Sequence, residues 1–398
     1  MEGTGDSPPT TDDDSDSLPD WVETTSAVFE NVWAKEITAY GYRPPKSDLS
    51  SADHGPDGRL DVYLAELRSE GLFGFCDIDD PNLEDPSYPY FDMSAFCSVD
   101  NDFVGYPKPP LLSLQVTAAH EFFHASQFAY DYFEDPWLME GTAAWIEDEA
   151  YDAVNDNYDY IEVSPLELPF VPLDTGLGGH EYGAWVFWRY LSETFGSSFI
   201  RDVWNRADGS ASGPDNYSLQ ALIGVLGTRG SNLRTEFADF AALTYFPAHF
   251  YEEGRSYGPG VIPTFVRLSN TRTSVSMRRI LDHLTNNYIA LIRSSAIAGD
   301  AKLQVDLNLP PLSRGSNATL IILPRSGNLR FVHFRGNAQG DKALRVPFGS
   351  DIQQIIVVLT NASGRFGSCF SLVTVFSCNG GIPLDDNQPY RFTARVIQ

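Results

Sequence analysis

His120, Glu121 and His124 form the pattern H-E-x-x-H inside a stretch, residues 112–133, that holds no internal Gly or Pro. On a helix, residues four apart lie one turn above each other, so both imidazoles can reach a single ion. Zn2+ accepts neutral imidazole nitrogens at about 2.0–2.1 Å, and a carboxylate beside the first ligand can take a proton from water acidified by the metal. That is the chemistry of hydrolysis. A helix burying His, Glu and His without a metal would leave polar groups in need of partners, which makes two ordinary core histidines the poorer reading. A catalytic zinc needs three protein ligands and one open position. The third ligand is expected from Glu140, in the first turn of a helix opened by Pro136, with Gly141 beside it allowing another helix to approach closely.

The elements that must carry these residues are legible from periodicity. Val22, Phe29, Val32, Trp33, Ile37 and Tyr40 recur at helical spacing, and Gly41, Pro44 and Pro45 end that helix. Leu60, Val62 and Leu64 alternate with Asp61, Tyr63 and Ala65 as a strand with one buried face. Residues 74–110 are Pro- and Asp-rich and are expected to be irregular, held by Cys76 and Cys97. Helices are expected near 137–150, 183–195, 198–206, 217–226 and 232–244. Beyond about residue 270, β-branched runs at 303–307, 320–323, 329–334, 355–359 and 391–397 alternate with turn residues, which predicts a separate all-β sandwich. The expected fold class is α+β: an acidic leader over 1–20 too poor in apolar groups to order itself, a mainly helical domain with a small N-terminal sheet over 21–268, and a β-sandwich over 269–398.

The string His120-Glu-Phe-Phe-His124 followed by Trp137-Leu-Met-Glu140-Gly141-Thr-Ala143 resembles the gluzincin metallopeptidases, which include thermolysin and the aminopeptidase N family, over roughly residues 110–195. The stretch from His120 to Asp159 is most similar to uncharacterised secreted metalloproteases of bacteria. The resemblance implies a zincin-like catalytic domain, Zn2+ as cofactor, Glu121 as general base, and His120, His124 and Glu140 as ligands. It further implies that Glu147, seven residues after Glu140, braces a ligand. Tyr182, opening the aromatic helix that ends in Tyr190-Leu191, would donate to the oxyanion. His180 could supply the same donation, and Tyr151 is a third option. A protein or peptide is the implied substrate. An endopeptidase is preferred because no GxMEN-like motif for a free amino terminus occurs.

Composition narrows the rest. The 398 residues carry 27 Lys plus Arg against 54 Asp plus Glu, a formal net charge of -27, so nucleic acid and anionic membrane are disfavoured partners. No apolar run approaches the roughly 20 residues of a membrane-spanning helix. Glu2, Asp6 and Asp12 to Asp14 stand where a signal peptide would need basic and apolar residues. Four cysteines in two local pairs, Cys76 with Cys97 and Cys369 with Cys378, fit disulfides of an oxidising compartment, so a secreted form with its signal removed is expected. Ca2+ is a second candidate cofactor, either at the acidic run Glu147, Asp148, Glu149, Asp152, Asp156 and Asp159 or at the turn Asp53, Asp57 and Asp61. A solvated acidic face and a plain turn are the favoured readings of the two, because neither has the EF-hand order. His54, His249, His283 and His333 lack ligand-like spacing and read as ordinary surface or core residues. The competing function is an extracellular binding or adhesion protein with an inactive peptidase-like domain and a working C-terminal β-domain. The oligomeric state is not encoded in any of these features.

Overall fold

A computed structural model of the chain describes residues 5–52, 54–258, 260–334 and 336–397. Asp53, one corner of the expected calcium turn, lies outside the described residues; Asp57 of that turn is paired with Arg59 at 2.7 Å. The chain folds as two compact units, Met1–Tyr160 with Glu181–Val225, and Ile161–His180 with Leu226–Gln398.

The first unit is organised around one buried helix. Helix α1 (Asp20–Trp33) runs on into a π-helical turn, Ala34–Ala39. Strands β1 (Asp61–Ala65), β2 (Gly74–Ile78) and β3 (Ala95–Asp100) form a sheet in the order β1-β3-β2, with β1 parallel and β2 antiparallel to β3. The stretch expected to be irregular therefore carries two strands. Cys76 and Cys97 face each other across them and are disulfide-bonded. Helix α2 (Pro110–Phe128) is buried continuously from Val116 to Phe128, which explains its weak amphipathicity: a helix packed all round has no polar face to show. It ends five residues before the expected boundary, where Tyr130 and Asp131 both turn back to the Gln127 carbonyl. Val99, Leu114, Ala118 and Phe122 join α1 residues Val28 and Val32 in one apolar cluster. Helix α3 (Pro136–Tyr151) packs along α2, followed by the short α4 (His180–Gly183), then α5 (Trp185–Phe195), α6 (Ser198–Ala207) and α7 (Ser218–Thr228).

Gly141 of α3 is where α5 comes closest. A Cβ there would lie 2.8 Å from Trp188 Nε1 and 3.1 Å from Ala184 Cβ, so the glycine after Glu140 is what permits this helix pair.

The second unit begins earlier than the expected boundary at residue 269, and it is not all β. Helix α8 (Leu233–Thr244) belongs to it. Eleven strands follow: β4 (Thr264–Leu268), β5 (Ser274–Leu281), β6 (Thr285–Arg293), β7 (Lys302–Asn308), β8 (Ser316–Pro324), β9 (Arg330–His333), β10 (Asp341–Pro347), β11 (Ile352–Asn361), β12 (Phe366–Gly367), β13 (Ile382–Pro383) and β14 (Gln388–Ile397). They make a five-stranded sheet, β4-β6-β11-β8-β9, a four-stranded sheet, β10-β7-β14-β5, and the small pair β12-β13. The two large sheets share one core, in which Ile289, Leu320 and Val357 meet Leu303, Val305 and Phe392. The opposite face of the five-stranded sheet, with Tyr288, Ile321, Ile356 and Val358, is covered by Ala241 and Ala242 of α8. Strand β11 is therefore buried on both faces. That is why its sequence is a continuous apolar run and not an alternating one. A second disulfide joins Cys369 and Cys378. Among the described residues no helix is long and apolar enough to cross a membrane.

Candidate metal centre

The helical spacing does what it promised. His120 and His124 stand one turn apart on α2, with their Nε2 atoms 3.0 Å from each other. Glu140, the fifth residue of α3 and so just past the first turn where it was expected, brings Oε2 to 3.2 Å from His120 Nε2 and 3.3 Å from His124 Nε2. The three atoms form a nearly equilateral triangle. Bonds of about 2.0–2.1 Å in a tetrahedral zinc site set ligand atoms about 3.3–3.4 Å apart, so the triangle is close to the required size.

The protons decide what the triangle can hold. His120 Nδ1 bonds Glu147 Oε1 at 2.6 Å, and His124 Nδ1 bonds Gln127 Oε1 at 2.7 Å. Gln127 has its amide orientation fixed, because Nε2 donates to the Met139 carbonyl at 2.9 Å and to Thr142 Oγ1 at 3.1 Å; its oxygen must then accept from His124. Each imidazole thus spends its Nδ1 proton outward and turns a lone pair inward. Two imidazole lone pairs and a carboxylate oxygen facing one another at 3.0–3.3 Å repel unless a cation lies among them. Burial by itself would lower both imidazoles, but Glu140 outweighs it at each, joined at His120 by Glu147, so the pocket draws positive charge. Burial would likewise raise Glu140, yet the two histidines hold it well below the usual carboxylate range. The donor set, its spacing and its field all fit Zn2+.

Glu121 points into the same cleft. Burial pushes its carboxyl above the usual range, and Oε2 is buried without a hydrogen-bond partner, as suits a base waiting for a proton. The cleft, which His120 lines but His124 and Glu140 do not, is also lined by Leu72, Phe73, Gly74, Asp156, Tyr160 and Tyr182. A larger groove in this unit, lined by Val22, Phe29, Trp33, Leu60 and Phe122 among others, includes none of the three candidate ligands. The Tyr182 ring stacks 5.8 Å from His120 and 5.0 Å from Tyr160. Burial, then the Glu140 and Glu121 carboxylates, push its hydroxyl up, so it stays a proton donor across the physiological range.

Other expected residues fall elsewhere. Tyr151 gives its hydroxyl to Asn31 Oδ1 at 3.2 Å and lies under Lys35, at the far end of α3. His180 belongs to the second unit, where Nδ1 donates to the Val163 carbonyl at 2.6 Å; it does not line the cleft. The acidic run after Glu140 is buried only at its head, and Asp152 and Asp159 are exposed. Glu147 is only 3% exposed, with burial pushing it up to about 7, and Asp148 is equally buried. Asp148 and Glu149 pair with Arg189, Tyr40 donates to Glu149, and Lys108 holds Asp156 and Asp159 at 2.8 and 3.0 Å. Two residues of the site were not singled out in the sequence. Tyr160 sits in a 3-10 helix, Asp156–Val163, whose sequence shows no clear periodicity, and Gln127 carries a signal only in hindsight, three residues after His124 on the same helix face.

Neither a protein-family model nor a curated protein matches the chain. Among solved structures, the periplasmic lysozyme inhibitor PliG from Aeromonas hydrophila is 10% identical, covering 34% of this chain and 96% of its own, with a TM-score of 0.21. The pre-peptidase C-terminal domain of a collagenase from Bacillus anthracis is 9% identical, covering 34% of this chain and 97% of its own, with a TM-score of 0.19.

Proposed function

We propose that the chain is a secreted zinc metallopeptidase of the gluzincin kind, acting as an endopeptidase. The observation that carries this reading is the triangle of His120 Nε2, His124 Nε2 and Glu140 Oε2, with Glu121 Oε2 buried without a hydrogen-bond partner in the cleft that His120 lines. Zinc, when bound, supplies Lewis acidity and makes water a nucleophile near neutral pH. Glu121 takes the proton of the attacking water and delivers it to the leaving amine. Glu147 and Gln127 hold the two imidazoles in their tautomers. Tyr182 donates to the oxygen that becomes anionic as the carbonyl is attacked. Phe73 and Tyr160 keep bulk water off the cleft. Two disulfides support an extracellular site of action.

The test is metal content and hydrolysis measured together. About one zinc per chain is expected, with cleavage of denatured protein substrates at internal bonds. Glu121→Gln should keep the zinc and lose cleavage. Tyr182→Phe should lower kcat by about 10^2-fold or more with KM little changed, the cost of removing one oxyanion donor. Zinc binding without cleavage of any denatured protein would overturn the reading in favour of a binding protein built on an inactive peptidase-like domain.

A further inference from the structure

The segment ahead of α1 is acidic, but its acids are not scattered. Counting Asp12 as position 1, carboxylates stand at 1 (Asp12), 3 (Asp14), 5 (Asp16), 9 (Asp20) and 12 (Glu23). That is the ligand order of the twelve-residue EF-hand loop, in which position 7, here Leu18, gives a backbone carbonyl and the glutamate at 12 binds through both oxygens. Position 6 of such loops makes the sharp turn and is usually Gly. Here it is Ser17, at a φ of 80°.

The fold supplies what the order alone does not, which is convergence. Carboxylate oxygens of Asp12, Asp14 and Asp16 lie within 4.8 Å of one another. Asp16 N–H donates to Asp12 and Asp14, and Ser17 N–H donates to Asp12, so the chain wraps around the first carboxylate. Glu23, in the first turn of α1, has its carboxyl raised chiefly by the neighbouring Asp16 carboxylate, with Asp14, Asp20 and Asp12 adding to it. Among the described residues no Lys, Arg or His pairs with any of them, whereas Asp80 and Asp92 share Lys46 and Asp208 has Arg43.

We infer that Asp12, Asp14, Asp16, Leu18, Asp20 and Glu23 form a calcium site that ends on the first turn of α1. It differs from an EF-hand in having only the exiting helix: no helix precedes Asp12 among the described residues. The site ties the leader down at one end, while at the other Asn101 donates to the Gly5 and Ser7 carbonyls. None of the candidate zinc ligands takes part, so the two metals are separable.

The experiment is a calcium titration of the zinc-loaded full-length chain by calorimetry, repeated with Glu23→Gln and with Asp14→Asn. Half-saturation at about 0.1–1 mM is expected, the range of extracellular calcium modules, with at least tenfold weakening in each variant and unchanged zinc content. A second readout does not depend on removing a ligand. Tb3+ bound in the loop should luminesce on excitation of Trp21, the tenth loop residue, and Trp21→Phe should abolish that emission while leaving calcium affinity unchanged. Failure of the natural chain to bind calcium at 10-fold above that range overturns the site, and so does equal binding by Glu23→Gln. Terbium emission undiminished in Trp21→Phe overturns its placement in this loop.

Discussion

Gln127 shows how a residue with no charge and no catalytic chemistry can govern the proposed metal site. Its oxygen fixes the His124 tautomer, and its nitrogen is itself fixed by Met139 and Thr142 of α3. Gln127→Ala is therefore expected to weaken zinc binding by about 10- to 100-fold, the usual cost of losing a partner that orients a ligand, and Gln127→Glu should restore part of it by accepting the same proton. Competition against a chelator of known affinity measures this. An unchanged zinc affinity in Gln127→Ala would show that α2 packing alone orients the imidazole. The corresponding role of Glu147 was legible in the sequence through its resemblance-based position. That of Gln127 was not, because a glutamine on a helix reads as a surface residue until the neighbouring helix is in place.

At the level of elements, strand β2 matters to the site through what it lacks. A Cβ on Gly74 would lie 2.8 Å from Thr117 Cγ2, 2.9 Å from Glu121 Cγ and 3.0 Å from the Ser98 carbonyl oxygen. The first two are side chains that can move, and one of them is Glu121, the proposed general base; the third is backbone that cannot. Gly74→Ala should cost about 1–3 kcal/mol by overpacking, and it should lower kcat more than it lowers zinc affinity, because the displaced group is Glu121 and not a ligand. Thermal unfolding and kinetics on the same preparations separate the two effects. Equal losses in zinc binding and kcat would instead place the damage in α2 as a whole. The disulfide lies against the same turn of α2, with Cys76 Sγ 2.8 Å from the Glu121 carbonyl oxygen. The helix that carries His120 and His124 was legible as a stretch free of Gly and Pro, since a helix buried all round shows little 3.6-residue period. Strands β2 and β3 were missed because five- and six-residue strands in a Pro- and Asp-rich stretch carry too little alternation to register.

For the molecule as a whole, the second unit has its own pH dependence. His283 is fully buried, with Nδ1 2.6 Å from Asp386 and Nε2 2.9 Å from Asp174. Burial would lower the imidazole, but the two carboxylates outweigh it and raise it to about 10. Its folded value lies above the unfolded one of about 6.5, so its contribution is complete below about pH 6.5 and is lost as pH rises through about 10. Asp174 and Asp386 are held below the ordinary carboxylate value of 3.8, so theirs is present above that value and lost as pH falls below it. Melting temperatures between pH 6 and 10.5 should fall on the alkaline side, and His283→Gln should be less stable at pH 7 with a flatter alkaline limb. An alkaline slope identical in the two proteins would mean that other groups set it.

What the sequence determined by itself was local. The four-residue spacing of His120 and His124 placed two candidate ligands on one helix face, Pro136 opened the helix that carries Glu140, and β-branched runs announced β7, β8, β9, β11 and β14 but not β10, β12 or β13. The sandwich core that those strands build was legible too. The tertiary structure decided everything that needs two segments to meet. It set the triangle closed by α3, the partners that Glu147 and Gln127 give the two imidazoles, and the burial of Glu147 and Asp148 at the head of an acidic run that looked solvated. It put α8 on the outer face of a sheet, so that the second unit begins well before its first strand. Periodicity reports which face of a segment is apolar, but not which other segment covers it. The partner is chosen by packing, and packing is a property of the whole chain.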